Sequence, residues 1–355
     1  MQVSTLIIGS GLCGTWLAYF LEQAGISFMV LDHSEKPAAS AIASGIINPV
    51  TGRRLVKTWM IDEVMPFAVA AYQNFSAGSQ PAPADPFIRQ CPVLDFFSAP
   101  DVEVAFKKRL DENADYLVSV TDTNKWRSWF HFDFGAGEIA PCYLVDVNGW
   151  LGKWRQHLET NQLLINEVFK EEQLLLTADC IRYGEVEAKK VIYCDGIASA
   201  QSSYFNRLPF APNKGEALIA AIPGLPATHI FKRGMSLVPW KPGQYWIGST
   251  YQWKFEDALP TEIFRHQATN WLQSFCKLPF EIVDHLAAVR PATIERRPFI
   301  GFHPLHQQVG IFNGMGTKGV SLAPYFARQL ADLLSQQQPL MGEVDIGRFA
   351  KILSR

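Results

Sequence analysis

The chain opens with a short apolar run that enters a glycine-rich turn, and this feature constrains the fold more than any other. Residues 6–8 lead into the sequence GSGLCG, in which Gly9, Gly11 and Gly14 fit the pattern G-x-G-x-x-G, and an amphipathic stretch follows. Gly9 permits a sharp turn, Gly11 allows the backbone to approach a phosphate, and Gly14 allows close packing of helix on strand. The pattern predicts a strand, a tight turn and a helix whose amino end binds an anion.

A second apolar run ends in an acid at the position where a nucleotide site needs one. Residues 26–31 predict a buried strand, and Asp32 follows directly. A carboxylate about 20 residues beyond such glycines accepts hydrogen bonds from an adenosine ribose and repels a 2′-phosphate. The first unit is therefore predicted to bind a dinucleotide other than NADP, because incidental glycines would not explain the acid.

The composition favours a soluble globular protein that works on small molecules. The chain has 355 residues, of which 48% are hydrophobic and 19% charged, and it is long enough for two domains. A formal net charge of -2 provides no basic surface for DNA or RNA. No apolar stretch reaches the roughly 18 to 20 residues of a membrane span, and the first strand starts too close to Met1 for a signal peptide. We therefore expect a cytoplasmic protein with no membrane span.

The six cysteines predict reduced thiols and no metal site. They are widely spaced, with no C-x-x-C pair and no neighbouring histidines at metal-ligand spacing. We expect most of them to fill the core as small apolar residues. Cys13 lies inside the glycine turn and Cys194 ends an apolar run, so both are predicted to lie near the bound nucleotide.

The remaining pattern predicts further helices and many short strands. Helices are expected over 62–75, 101–113, 147–160, 260–276 and the second part of 310–336, and strands over 87–97, 116–120, 129–134, 163–169, 173–177, 180–183, 186–188, 190–196, 215–222, 229–239 and 245–251. Segment 34–54 is long and rich in small residues, and we predict that it packs over the nucleotide.

These elements predict an α/β protein with two domains. One is a Rossmann-like nucleotide-binding domain, in which helices cover a parallel sheet, and the other is built on an antiparallel sheet. We expect the first domain to comprise residues 1–81, 141–206 and 291–355. The second would comprise residues 82–140 and 207–290, so the nucleotide domain is discontinuous in sequence.

A second glycine turn lies near the carboxyl end of the chain. Gly314, Gly316 and Gly319 again fit G-x-G-x-x-G, with an apolar strand before them and a helix after them. A second dinucleotide site is one interpretation, but it needs a further strand that carries a ribose-binding acid, and no clear strand follows. The other interpretation is a helix amino end that faces an electron-rich part of the same cofactor, with Lys318 adding positive charge.

Six sequence blocks occur in a fixed order along nearly the whole chain. They are GSGLCG with Asp32, SAIASGIINPVTGRR, YCDGIAS, VPWKPGQYWIGSTYQ, VRPATIERRPFIG and NGMGTKGVSLAP. This ordered set resembles the D-amino-acid-oxidase-like family of flavoproteins, which includes glycine, sarcosine and D-amino acid oxidases and dehydrogenases. The resemblance implies FAD rather than NAD, and a substrate domain whose antiparallel sheet covers the flavin ring.

The resemblance also implies which residues hold FAD. The first glycines would meet the pyrophosphate, Asp32 the ribose, Val168 the adenine through its backbone, and the second glycine turn the flavin. The cofactor-binding residues implied are Gly9, Gly11, Leu12, Cys13, Gly14, Asp32, Val168, Cys194, Asp195, Gly196, Gly314, Met315, Gly316, Thr317 and Lys318. Arg290 stands about where some sarcosine oxidases carry a flavin-linking cysteine, so non-covalent FAD is implied.

Four catalytic residues are implied in the same way. Arg290 would bind a substrate carboxylate through paired planar hydrogen bonds, although a structural pair with an acid such as Glu295 is the alternative. Lys318 would stabilise negative charge on the reduced flavin. Tyr251 would face the substrate and Arg53 would pass beside the flavin, with core packing the alternative for the tyrosine and an exposed position the alternative for the arginine.

Other side chains are weaker candidates for the site. Trp246 lies in the same block as Tyr251, and core packing is again the alternative. His303 and His306 are expected to be surface loop residues, and they are the alternative acid–base candidates. A lysine that activates oxygen in some sarcosine oxidases has no clear counterpart, so the electron acceptor is oxygen or another molecule.

The leading hypothesis is an FAD-dependent oxidoreductase that oxidises the C–N bond of a small amino acid or secondary amine. Hydride would pass to the flavin, and the resulting imine would be hydrolysed. One alternative keeps the chemistry but places it on a modified tRNA base, against which the near-neutral charge counts. The others are a non-catalytic FAD-binding protein and an NAD-dependent dehydrogenase.

Overall fold

The computed structural model describes residues 1–33, 38–52, 54–78, 86–112 and 114–355, and the strands and helices below lie within these ranges. In chain order the strands are β1 (Gln2–Ile8), β2 (Phe28–Leu31), β3 (Ile46–Ile47), β4 (Val50–Thr51), β5 (Val56–Lys57), β6 (Ile88–Gln90), β7 (Val93–Phe96), β8 (Leu117–Ser119), β9 (Ala136–Ile139), β10 (Tyr143–Val145), β11 (Leu164–Ile165), β12 (Leu175–Leu176), β13 (Ile181–Tyr183), β14 (Val186–Tyr193), β15 (Asn213–Ala221), β16 (Ile230–Arg233), β17 (Met235–Lys241), β18 (Gln244–Gly248), β19 (Glu281–Arg290), β20 (Phe299–Phe302) and β21 (Val309–Asn313). The helices are α1 (Leu12–Gln23), α2 (Ile61–Gly78), α3 (Pro100–Asp111), α4 (Val147–Thr160), α5 (Glu262–Phe275), α6 (Gly319–Gln336) and α7 (Ala350–Leu353).

The chain forms two compact units, each assembled from separate segments. The first unit consists of Met1–Ala41, Val147–Asn213 and Val289–Arg355. The second consists of Ile42–Asp146 and Lys214–Ala288.

A mainly parallel sheet forms the centre of the first unit. β11, β2, β1 and β14 lie side by side in parallel, and β21 continues the parallel order next to β14. Ile8 pairs with Leu31 on one side and with Tyr193 on the other, and Tyr193 pairs with Ile311. The carboxyl ends of four strands therefore meet at one edge, where open α/β sheets bind their ligands.

Helices bury this sheet, which explains why its strands are continuous apolar runs rather than alternating ones. In α1, the Trp16 ring stacks on the Trp150 ring of α4 with centroids 4.7 Å apart. Gly319, the first residue of α6, lies against Leu12 of α1, and a Cβ at Gly319 would be 3.1 Å from the Leu12 Cδ1. The amino ends of α1 and α6 are thus close to each other.

The second unit is built on an eight-stranded, mainly antiparallel sheet. Its strands follow the order β19, β15, β18, β17, β16, β7, β9 and β8. From β15 to β8 the pairs are antiparallel, apart from the parallel pair of β16 and β7. One apolar cluster places α5 on this sheet through Phe264, Ala268, Leu272 and Phe275. The α/β fold with a parallel and an antiparallel part, predicted from the sequence, is confirmed.

The first predicted boundary lies elsewhere in the structure. The second unit begins at Ile42. The described residues between 42 and 78, which were predicted to lie in the nucleotide domain, therefore belong to the second unit. The reason is a long-range pairing, because Ile46–Ile47 forms a ladder with β10 and a Cβ at Gly45 would lie 2.0 Å from the Val145 carbonyl oxygen. The other boundaries fall at 147, 213 and 289 rather than 141, 206 and 291.

Several strand predictions also need correction. Residues 129–134 form no strand, since a 3-10 turn precedes them and only Phe130 makes an isolated bridge, to Cys276. The Phe130 and Phe132 rings both enter the core, and the Phe130 ring stacks on the Phe275 ring at 4.5 Å. The runs 186–188 and 190–196, expected as two strands, form the single strand β14, which ends at Tyr193. The runs 87–97 and 229–239, each expected as one strand, are divided into β6 and β7 and into β16 and β17.

Candidate cofactor site and active site

The first glycine turn depends on the absence of side chains at two positions. Gly9 has φ +95°, and a Cβ there would lie 2.8 Å from the Cys194 carbonyl oxygen. A Cβ at Gly14 would lie 1.9 Å from the Gly9 carbonyl oxygen. Both contacts involve backbone that cannot move aside, so the turn tolerates only glycine at these positions.

The surroundings of Gly11 differ from those of Gly9 and Gly14, because its neighbour is a side chain. A Cβ there would come within 3.0 Å of the Ser40 hydroxyl oxygen, so the space beside Gly11 is closed by a side chain rather than by backbone. The Ser40 Oγ also accepts a hydrogen bond from the Leu12 amide at 3.1 Å. Part of the segment predicted to pack over the nucleotide therefore lies on the amino end of α1, although residues 34–37 of that segment lie outside the described residues.

Asp32 is the centre of a polar cluster at the end of β2. The Ser10 amide donates to its Oδ1 at 3.1 Å, and the Ser10 hydroxyl donates to its Oδ2 at 2.7 Å. The Arg155 Nη1 donates to the same Oδ2 at 3.0 Å, and the Arg155 Nη2 donates to the Asn166 Oδ1 at 3.2 Å. These bonds fix the position and the orientation of the carboxylate.

No local sequence pattern points to Arg155, because its partner Asp32 is 123 residues away in the chain. Val168, the other residue implied for the adenosine end, has an exposed side chain, and its carbonyl accepts from the Tyr183 hydroxyl at 3.5 Å.

Cys13 and Cys194 lie at the same sheet edge, and their place near the bound nucleotide stays a prediction. Both are buried, and burial raises the pKa of each thiol above its ordinary value. The thiols are therefore protonated at neutral pH and poor nucleophiles. Their packing role agrees with the expectation from the sequence.

Asp195 and Gly196 form a second turn, which we call the Asp-Gly turn, at the end of β14. Gly196 has φ +64°. The Ser199 hydroxyl donates a hydrogen bond to the Asp195 Oδ1. Burial raises the pKa of the Asp195 carboxyl to about 6, against the opposing effect of the Ser199 hydrogen bond.

The second glycine turn, Gly314–Lys318, leaves the neighbouring strand β21. Gly314 has φ +81°, and a Cβ there would lie 2.8 Å from the Thr293 Cγ2. Gly316 has φ +55°, and a Cβ there would meet only Ala292, at 3.6 Å. Met315 and Thr317 belong to the same turn, and Lys318 directly precedes the 18-residue helix α6.

The buried side chain of Asn313, to which no local sequence pattern points, connects these turns. Asn313 is 1% exposed, and its Nδ2 donates to the Gly196 carbonyl at 2.7 Å and to the Ser199 Oγ at 2.9 Å. The Asn313 Oδ1 accepts from the Gly314 amide at 2.8 Å. The buried amide therefore bridges the Asp-Gly turn and the second glycine turn.

Arg290 is partly buried at the end of β19. Its Nη1 donates to the Asn213 Oδ1 at 2.8 Å, which fixes one side of the guanidinium. Glu295, the acid considered as its structural partner, forms an ion pair with the Arg348 Nε at 3.2 Å.

The remaining candidates divide between exposed and buried positions. Tyr251 is 60% exposed, so it is not a core residue. Trp246 is buried in the second unit, and its Nε1 donates to the Ile42 carbonyl at 3.1 Å. Arg53 lies outside the described residues.

The two histidines also differ. His306 is exposed as expected, but His303 is 4% exposed, so its prediction as a surface residue was wrong. The Phe205 and Tyr204 rings pack around the His303 ring. Burial, together with His306, lowers the pKa of His303.

The described residues contain neither a metal-binding cluster nor a membrane-spanning helix. Within them, no group of three or more His, Cys, Asp or Glu is arranged to hold a metal ion. Among the helices that can be described, none has the length and apolar character needed to cross a membrane.

Comparison with known proteins places the chain in a family. The family "DAO: FAD dependent oxidoreductase" matches residues 4–333. Glycine oxidase from Pseudomonas aeruginosa is 30% identical over 166 residues, which cover 44% of this chain and 45% of that enzyme. Glycine oxidase from Bacillus subtilis is 27% identical over 165 residues, covering 44% and 43%. The matched segments thus span less than half of these curated relatives.

Solved structures agree on the fold over the whole chain. Iminodiacetate oxidase from Chelativorans sp. BNC1 has a TM-score of 0.77 at 16% identity, with 98% of both chains covered. Glycine oxidase from Geobacillus kaustophilus has a TM-score of 0.78 at 15% identity, again with 98% of both chains covered. With the family match over residues 4–333, the chain belongs to the DAO family of FAD dependent oxidoreductases.

Proposed function

We propose that this protein uses FAD to oxidise the C–N bond of a small amino acid or a related amine. The observation that carries the proposal is the convergence of three turns on one edge of the parallel sheet, in a chain of this family. These are the first glycine turn after β1, the Asp-Gly turn after β14 and the second glycine turn after β21.

The residues at this edge fit FAD. The amino end of α1 suits a pyrophosphate, which needs N–H donors and close backbone approach, and at Gly11 the neighbouring group is the Ser40 side chain rather than backbone. Asp32, held by Ser10 and Arg155, suits the ribose hydroxyls. The backbone of Val168 would face the adenine.

The other two turns would hold the rest of the cofactor. The Asp-Gly turn suits the middle of FAD, and residues 314–318 suit the flavin. When bound, FAD supplies the acceptor for a hydride taken from the carbon that bears the amine. Lys318 and the amino end of α6 would stabilise the negative charge that the reduced cofactor gains. We propose that FAD is bound non-covalently.

The substrate class follows from Arg290. A guanidinium binds a carboxylate through two parallel hydrogen bonds, and the bond to Asn213 restricts its rotation. The names of the relatives support this choice, since glycine and iminodiacetate both carry an amine one carbon away from a carboxylate. The imine product of such a substrate hydrolyses in water, and oxygen or another molecule takes the electrons.

Anaerobic mixing of the FAD-loaded protein with candidate amines tests the proposal. Glycine, sarcosine, proline, D-amino acids and N-methylated amines are added separately while the visible absorption band of the flavin is followed. Bleaching by an amine that carries a carboxylate is expected. A protein that keeps FAD but is bleached by none of these compounds would contradict the proposed substrate class.

Arg290→Ala tests the role of the guanidinium. We expect the rate of flavin reduction at low concentrations of a carboxylate substrate to fall by a factor of about 100 or more, because a charged bidentate contact is lost. Arg328→Ala is the matched control, since Arg328 pairs with Asp332 on the surface of α6. Equal rates for Arg290→Ala and the control would remove Arg290 from the site.

A further inference from the structure

The side chain of Asn313 uses its hydrogen-bonding groups for the backbone and side chains of two turns. Its amide group makes two donations, to the Gly196 carbonyl and to the Ser199 hydroxyl oxygen. Its carbonyl oxygen accepts from the Gly314 amide. With 1% exposure, Asn313 is shielded from water, so no solvent molecule can replace these bonds without rearrangement.

These bonds lie beyond the ladder that joins the two strands. β14 and β21 pair in parallel through Val191, Ile192 and Tyr193, and the pairing ends at Tyr193 and Ile311. β21 continues as far as Asn313, which pairs with Phe299 of β20, whereas no ladder joins the two turns to each other. Gly196 and Gly314 both have left-handed backbone conformations. The Asn313 amide therefore bridges the two turns and restrains the position of one against the other.

The chemistry of the side chain suits this place. An amide offers donors and an acceptor without charge, and the Ser199 hydroxyl that it contacts donates in turn to the Asp195 carboxyl. A carboxylate in place of the amide would lose both donors and bring a second acid close to Asp195. The Ser199 hydroxyl takes part in one of the three bonds of Asn313, so its loss is expected to weaken the link between the two turns less than the loss of Asn313.

We propose that Asn313 is a positioning residue that holds the second glycine turn against the Asp-Gly turn, and thereby sets how tightly the flavin half of FAD is bound. The inference rests on the proposed function in one respect, namely that these two turns hold FAD. It makes no use of the substrate or of Arg290.

FAD binding to Asn313→Ala tests the inference. The apoprotein is titrated with FAD, followed by quenching of flavin fluorescence, and separately with ADP, which probes only the adenosine end. We expect the Kd for FAD to rise by about ten-fold or more, since buried partners lose their bonds, and the Kd for ADP to change by less than two-fold. Ser199→Ala is expected to give a smaller rise.

Asn161→Ala is the matched control, because this asparagine lies at the exposed end of α4 and bonds to His157. It should leave both dissociation constants unchanged. An Asn313→Ala protein with wild-type circular dichroism that binds FAD within two-fold of wild type overturns the inference, as does an equal loss of FAD and ADP affinity.

Asn313→Asp keeps the test decisive if the alanine variant does not fold. The aspartate retains an acceptor for the Gly314 amide but loses both donors. The affinity for FAD should therefore fall, while the affinity for ADP should not. An Asn313→Asp protein with wild-type affinity for FAD overturns the inference. No amine enters these titrations. A failure of every amine to reduce the flavin would therefore count against the proposed function alone.

Discussion

At the scale of single residues, the Asp195 carboxyl makes the stability of the first unit depend on pH. Burial raises its pKa from 3.8 to about 6, so the folded protein retains a proton that the unfolded chain releases between these values. Its contribution to stability is greatest below pH 4 and declines as the pH rises towards 6. Over this window the free energy of unfolding should fall by up to about 3 kcal/mol.

Asp195→Asn removes the titrating carboxyl, so the fall in the free energy of unfolding between pH 4 and pH 6 that is due to this group should disappear. The measurement is the difference in free energy of unfolding between wild type and variant, from urea titrations between pH 4 and pH 8. Glu171 is the charged neighbour that also raises the pKa of Asp195. A difference that stays constant across the range would contradict the assignment.

The sequence predicts some site residues well because their signals are local. Gly9, Gly14 and Asp32 could be placed from short spacings and the ends of apolar runs, and the structure explains the need for each glycine. Asn313 and Ser199 lie 114 residues apart, so no local pattern connects them. Whether the assigned residues contact FAD stays a prediction.

At the scale of elements, α5 is anchored to the second sheet by a buried carboxylate. Glu216 on β15 is fully buried and accepts from the Thr261 amide at 2.6 Å and from the Thr261 hydroxyl at 2.9 Å, directly before the helix. The Glu216 Oε2 also contacts the His285 Nε2 at 3.0 Å, and the Glu216 Oε1 lies 3.8 Å from the Lys214 Nζ. The carboxylate thus joins two strands to a helix amino end.

Glu216→Ala should destabilise the second unit by about 3 to 5 kcal/mol, because it leaves a buried lysine without its buried counter-charge. Lys107→Ala, which removes an exposed pair with Glu103 on α3, should change the free energy of unfolding by less than about 1 kcal/mol. Urea unfolding measures both. Equal effects of the two variants would show that Glu216 is not an anchor.

Elements are predictable where one helix or strand carries its own signal. The bounds of α4 agree with those predicted, 147–160, since its apolar residues recur at helical spacing. The prediction of a strand over residues 129–134 was wrong. A run of aromatic residues is typical of a strand, but here tertiary packing of Phe130 in the core determines the structure. The prediction of the first domain boundary was wrong because the strand Ile46–Ile47 is too short to be predicted without its partner β10.

At the scale of the whole molecule, FAD should contribute to the stability of the first unit. A ligand at 100 times its Kd adds about 2.7 kcal/mol to the folded state, which corresponds to a rise in Tm of about 5 to 10 °C. Differential scanning calorimetry of the apoprotein at increasing FAD concentration measures this rise. Riboflavin lacks the pyrophosphate and the adenosine and should have a much smaller effect; equal effects of the two would contradict the anchoring at Gly9–Gly14 and Asp32.

The three-segment composition of the first unit also bears on how the protein is made. Val191 of β14 pairs with Val309 of β21, 118 positions later, and the second glycine turn follows this last strand. A ribosome therefore exposes β1, β2 and β14 long before the strand that completes their edge has been synthesised. Until residues 309–336 emerge, the nascent chain lacks both a strand and a covering helix, so cofactor loading is expected to be one of the last events in its biogenesis.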